Sequence, residues 1–257
     1  MIENRPLILV TNDDGFQAPG IRNLINIMLE LGDVVMVAPD QGRSGQGHAI
    51  TVNNPLRHQV LKESPNLKEI AVNGTPVDCV KLALKQLLPK TPDLLVSGIN
   101  HGGNSSVNIL YSGTMAAVLE GCMENIPSVG FSLCDYAHDA DFHSSAHFIR
   151  EIATDVLSHG LPNGVCLNVN IPALPSEKIK GVLTTRQGQG RWEEEFDARL
   201  DPRGRPYYWI QGYFSGNVTE QGTDEWALAN GYISVMPVTY DLTAHQMIES
   251  IGKIFNK

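Results

Sequence analysis

The chain has 257 residues, enough for one large α/β domain or a domain with an appendage. Hydrophobic residues make up 42% and charged residues 18%, and no apolar run approaches the ~18 residues of a membrane helix. The net charge of −9 argues against general affinity for long nucleic acids, whose binding needs many Lys and Arg contacts. It leaves open a single phosphorylated small molecule, because one bound cation reverses the local sign.

In chain order, Leu7–Thr11 reads as a buried first strand; its apolar part is too short for a signal peptide, so the chain is expected in the cytoplasm. Ile21, Leu24, Ile25 and Met28 recur at helical spacing and Gly32 marks the helix end. Val34–Ala38 and Glu69–Val72 are further strands. Thr75-Pro76-Val77-Asp78 then supplies a capping Thr, a first-turn Pro and an acid three residues on, and Val80, Leu84 and Leu87 continue that helix's apolar face. Asp93–Ser97 is a strand followed by a glycine-rich loop, Gly98–Gly103. Met115, Val118, Leu119, Cys122 and Met123 mark a helix opening near Ser112-Gly113-Thr114. Ser128–Ser132 and Val165–Asn170 are strands with a helix around 145–159 between them.

This alternation predicts a Rossmann-like three-layer αβα fold with a mostly parallel sheet over residues 1–175. Residues 176–257 read as a C-terminal extension. Gly188, Gly190, Gly204 and Gly212 alternate there with Trp192, Phe196, Tyr207, Tyr208 and Trp209, a hairpin texture. A helix at 222–230, a strand at 232–236 and a closing helix at 244–254 follow. The acidic run Glu193–Glu195 reads as a solvated turn or strand edge. Cys79, Cys122, Cys134 and Cys166 are widely spaced in apolar segments, as buried free thiols of a reducing compartment would be.

Asn12-Asp13-Asp14-Gly15 follows the first strand directly, and ligands of an open parallel sheet collect at such strand ends. Adjacent carboxylates repel unless a cation lies between them, and Mg²⁺ or Mn²⁺ prefers oxygen ligands. The same four residues also suit an Asx turn that caps the next helix. Two more strand-end loops converge on the same edge, Gly42–Gly47 and Ser97–Asn104; Ser44 and Asn100 offer neutral oxygens that suit a hard cation. Neither loop has the Gly-Lys-Ser/Thr ending of a phosphate loop or the dinucleotide glycine fingerprint. The helix opening at Ser112-Gly113-Thr114 presents unpaired N–H groups to an anion, or is simply capped by Ser112 or Thr114. His143 and His147, four apart beside Asp139 and Asp141, read as exposed residues at a helix start rather than a second metal site.

The series TNDDG, APDQGRSGQGHAIT, NGTPVDCV, SGINHGGN and YSGTMAAVLEG, followed by LNVNIP, TRQG, DPRGRPYYW, GTDEWALANGYISVMP and DLT, resembles the survival protein E family of 5′/3′-nucleotidases. The resemblance spans nearly the whole chain in order. It implies a divalent-metal-dependent phosphatase of nucleoside 5′- and 3′-monophosphates with some action on short polyphosphate. Carried over position by position, it implies one Mg²⁺ or Mn²⁺ per subunit on Asp13, Asp14, Ser44 and Asn100. Asp13 or Asp14 would accept the proton of the attacking water, and Asn104, Ser112, Gly113 and Thr114 would hold phosphate oxygens. His101, in the same loop, either touches substrate or shuttles a proton. Met115 stands where a small β-branched residue is expected and should face the core. The resemblance also implies a homodimer or larger assembly with exchanged C-terminal segments, consistent with an aromatic arm that cannot stabilise itself alone. Two other function classes share the pocket chemistry: a non-catalytic nucleotide or phosphate sensor, and a metal-dependent sugar-nucleotide transferase.

Overall fold

The structure, a computed structural model, describes residues 5–137 and 139–255. Strand β1 (Leu7–Thr11) is buried along its whole length because the sheet around it is covered on both faces. Its side chains alternate between two cores. Ile8 and Val10 meet α1 (Pro19–Leu31) and α4 (Ala146–His159); Leu7 and Leu9 meet α2 (Pro76–Leu82) and α3 (Gly113–Met123). Strand β2 (Asp33–Pro39) repeats the division, with Val34, Met36 and Ala38 on one side and Val35 and Val37 on the other. This is the three-layer αβα arrangement that the alternating apolar runs imply.

The main sheet runs in the order β3 (His58–Ser64), β4 (Leu67–Val72), β2, β1, β5 (Leu94–His101), β6 (Ser128–Cys134), β7 (Val165–Pro172), β11 (Ile233–Thr239), β8 (Val182–Thr184). Pairing is parallel from β4 through β7 and antiparallel at β3/β4 and β7/β11. The helix signals hold. Ile21, Leu24, Ile25 and Met28 are buried on α1. Thr75 accepts from the Asp78 N–H at 3.1 Å while the Asp78 carboxylate accepts from the Thr75 N–H at 2.8 Å, a full capping box for α2. Met115 is fully buried in the second core.

Some boundaries differ for physical reasons. The segment expected as a loop from Gly98 stays in strand β5 to His101. Gly98, at φ +131°, absorbs a register shift between Ser97 and Asn100, after which Asn100 pairs with Ser132 and His101 with Leu133. Strand β3 carries no alternating apolar signal because it is an exposed edge, where even Val60 and Leu61 lie open among charged and polar residues. Beyond residue 175, β8 and β11 complete the main sheet, so that edge of the sheet lies C-terminal to the change in sequence texture. Strands β9 (Arg191–Leu200) and β10 (Pro206–Ser215) form a separate antiparallel arm, with Asp201 accepting from the N–H groups of Arg203 and Arg205 at its turn. Glu193–Glu195 lies within β9. Helix α5 (Asp224–Ala229) packs on β7 and β11, while α6 (Ile248–Phe255) leaves Ile248, Ile251, Ile254 and Phe255 exposed. Among the described residues, no helix is long and apolar enough to cross a membrane.

Candidate active site

The chain leaves β1 toward β2 and β4 on one side, then returns to β5 and builds outward on the other. The loops after β1 and β5 therefore diverge above a crevice at the carboxyl edge of the sheet. Asp13 and Asp14 follow β1, and Asn100 and His101 end β5. The His101 N–H, 3.3 Å from Asp14 Oδ2, links the two sides.

The turn after β1 is tightly built. Asn12 Nδ2 donates to the Gly15 carbonyl at 2.9 Å, and Gly15 sits at φ +97°. The Asp13 carbonyl accepts from the Arg43 N–H at 2.7 Å, and Asp13 Oδ1 accepts from Thr114 Oγ1 at 2.6 Å. A Cβ on Gly113 would lie 2.7 Å from Asp13 Cβ, so only glycine lets α3 begin this close to the carboxylate. Asp13 is 3% exposed. Burial first, and then the charge of Asp14, push its carboxyl up to about 6. Burial raises Asp14 as well, partly offset by the His101 N–H. A cation beside the pair would reverse these effects.

Asn100 Nδ2 donates to the Gly102 carbonyl at 2.7 Å, which leaves its Oδ1 as an open acceptor. Ser44 lies on a long loop fastened by the Arg43 N–H, by Thr51 N–H to Asp78 Oδ1 at 3.0 Å and by Thr75 Oγ1 to the Ala49 carbonyl at 2.7 Å. Asp13, Ser44, Asn100, His101, Asn104 and Ser112 line one cleft of about 730 Å³, and Asp14 adjoins it through His101. Two carboxylates, an amide oxygen and a hydroxyl make an oxygen-only donor set, which fits Mg²⁺ or Mn²⁺ better than zinc. No cluster of three His, Cys, Asp or Glu occurs among the described residues, so a cation here would need the neutral oxygens too. His143 and His147 join no such cluster; the His143 N–H donates to Asp141, and His147 lies against Phe148.

Ser112 and Thr114 each have a prior engagement. Ser112 Oγ caps α3 by accepting from the Met115 N–H at 3.1 Å, and Thr114 donates to Asp13. The Gly113 N–H also serves the Asp13 carboxylate, so what the first turn of α3 leaves for an anion is the Thr114 N–H. Asn104 is clamped on three sides: its N–H donates to Asn170 Oδ1 at 2.7 Å, its carbonyl accepts from Asn168 Nδ2 at 2.8 Å, and its Nδ2 donates to Ser132 Oγ at 2.9 Å. Asn168 and Asn170 are fully buried on β7. Two amides alternating with apolar residues in a buried strand must find partners, and that signal was readable in LNVNIP. His101 donates Nε2–H to the Ala137 carbonyl at 2.6 Å and sets its ring edge-on to Phe142.

The arm is the part that sequence reasoning left out of the site. Trp192, Glu194 and Ile210 from β9 and β10 line the same cleft, together with Tyr111 and Tyr136. Trp192 Nε1 donates to Asn108 Oδ1 at 2.7 Å and so fastens the arm to the segment that leads into α3.

The pattern of the family described as survival protein SurE matches residues 8–194. A Christiangramia forsetii protein named 5′-nucleotidase SurE is 54% identical over 254 residues, covering 98% of each chain. The Cytophaga hutchinsonii protein of the same name is 52% identical over 97% of each. The crystal structure of the SurE protein from Aquifex aeolicus is 42% identical, with a TM-score of 0.83 over 97% of this chain and 99% of that one.

Proposed function

The chain belongs to the survival protein SurE family, and on that premise we propose that it hydrolyses nucleoside 5′- and 3′-monophosphates, and short polyphosphate, using one divalent cation per subunit held by Asp13, Asp14, Ser44 and Asn100. At the coarser level it is a 5′-nucleotidase, a phosphoric monoester hydrolase. The observation that carries the finer reading is the buried Asp13 carboxylate beside Asp14, ringed by neutral oxygen donors. Mg²⁺ or Mn²⁺ supplies, when bound, Lewis-acid polarisation of the phosphoryl group.

The chain's own residues do the rest. The N–H of Thr114 and the remaining N–H of Asn104 take the phosphoryl oxygens, with Gly113 letting them approach and the α3 dipole favouring their charge. Thr114 orients Asp13, and the Asp13/Asp14 pair accepts the proton of the attacking water. Direct water attack is preferred to an aspartyl-phosphate because the acids at the strand end, Asp13 and Asp14, are adjacent and lack the Asp-x-Asp spacing of aspartate nucleophiles. Phosphate release from 5′-AMP and 3′-AMP is expected to vanish with EDTA and return with Mn²⁺ or Mg²⁺. Full turnover in a verified metal-free preparation would end the cation reading; no release from any nucleotide would end the nucleotidase reading.

The same proposal includes a homodimer or larger assembly through residues 176–257, working in the cytoplasm. A two-stranded arm is marginal alone, and Phe196, Trp209, Ile251 and Phe255 are exposed on the arm and α6. The four free thiols suit a reducing compartment. Light scattering is expected to give at least twice the 28.1 kDa chain mass; a value near 28.1 kDa would refute it.

A further inference from the structure

Phosphoryl chemistry does not need the arm, yet the arm supplies part of the cleft wall. In the β9/β10 register Trp192 pairs with Phe214, Glu194 with Gly212 and Phe196 with Ile210, so these residues share one face. Trp192, Glu194, Ile210 and Gly212 from that face line the cleft. Trp192 is held at two points. Its indole N–H is bonded to Asn108, and its ring meets Phe214 edge-on at 5.8 Å and 73°. It nevertheless remains 42% exposed. Opposite Glu194 stands Gly212, at φ +145°, where a Cβ would run into the Glu193 carbonyl, so only glycine lets the two strands approach this closely beside the cleft wall. Tyr111, 54% exposed, joins this wall directly to Ser112 at the anion end of the cleft.

We infer that this half of the cleft is a nucleobase subsite, in which Trp192 stacks on the base and Glu194 accepts a hydrogen bond from its exocyclic amino group. The inference rests on the phosphatase reading for the other half. Any base offers a π face, and an indole already immobilised by Asn108 and Phe214 loses little freedom when one stacks on it. An ionised Glu only accepts hydrogen bonds, so Glu194 favours adenine, guanine and cytosine, which carry amino donors. Specificity thus comes from the arm and phosphate binding from the α/β layers.

The test uses the full chain with Mn²⁺, comparing kcat/KM for AMP with that for ribose 5-phosphate, which has no base. In Trp192→Ala the AMP to ribose 5-phosphate ratio is expected to fall about tenfold or more, through KM. Trp192→Phe, which keeps a stacking face, should retain most of the ratio. Glu194→Gln should lower the CMP to UMP ratio several-fold. An unchanged AMP to ribose 5-phosphate ratio in Trp192→Ala overturns the stacking role, and an unchanged CMP to UMP ratio overturns the Glu194 role. If the native chain hydrolyses neither substrate, it is the phosphatase reading that fails. Indole fluorescence then decides the subsite: quenching by AMP that is lost in Trp192→Phe supports it, and no quenching overturns it.

Discussion

Asp14→Asn is expected to lower kcat on nucleoside monophosphates by at least about a hundredfold, and Asn100→Ala by a similar factor, with little change in the fold. Asn is isosteric with Asp and still accepts from the His101 N–H, so the turn survives; only the negative charge is lost. Asn100→Ala removes the open Oδ1 and a side-chain bond to the Gly102 carbonyl, within a strand whose pairing to Ser132 is made by the backbone. Steady-state kinetics with circular dichroism on both variants is the check. Native kcat in either would remove that residue from the site, and unfolding would return the segment to a structural turn.

The same variant has a stability signature. Burial and the Asp14 charge push the Asp13 carboxyl from 3.8 up to about 6, so the contribution of this one group to the stability of the metal-free protein is fully present below 3.8 and is lost as pH rises through about 6. The full effect is on the order of 3 kcal/mol. Removing Asp14 takes away its share, so metal-free Asp14→Asn should melt no lower than the native chain at pH 7. Added Mn²⁺ should raise Tm less in the variant than in the native chain.

The second large effect is expected far from the chemistry. Asp224→Ala should cost about 3 kcal/mol or more of folding stability, read as a lower denaturation midpoint at an unchanged m-value. Asp224 is fully buried at the start of α5. Its carboxylate accepts from the N–H groups of Ser106 at 2.7 Å, Gly188 at 2.8 Å and Glu225 at 2.8 Å. Truncation leaves three buried donors unpartnered, and Ser106, held at φ +51°, loses the anchor for that conformation. Ser106 belongs to the segment that joins β5 to α3, while Gly188 precedes β9. The variant should therefore lose activity as well as stability, by loosening the arm root and the anion end together. A midpoint shift worth less than about 1 kcal/mol would mean that water replaces the carboxylate at no great cost.

Short-range physics explains what was legible. A strand buried on both faces must be apolar throughout, which made Leu7–Thr11 and its neighbours readable, and the box at Thr75 and Asp78 announced α2 because capping is a contact between residues three apart. Asp13 and Asp14 could be placed at a strand end for the same reason, since adjacency in sequence already puts two like charges together. The limits have a cause too. Strand β3 has no buried face to impose a pattern, and β5 outlasts its apolar run because Gly98 absorbs a register shift visible only against β6.

By itself, then, the sequence determined the layers, the strand-end position of the acids and the family, all of which rest on local pattern or ordered motifs. Tertiary structure alone decided how the site is assembled from distant segments. Thr114 holds Asp13 across 101 residues, Asn168 and Asn170 clamp Asn104 across more than sixty, and Trp192 reaches Asn108 across 84. The buried amides of Asn168 and Asn170 announce locally that they need partners, but in none of these pairs is the partner's identity legible from the local sequence. Each side chain is an ordinary polar or aromatic residue whose partner is chosen by the folding of the sheet, not by its neighbours in the chain.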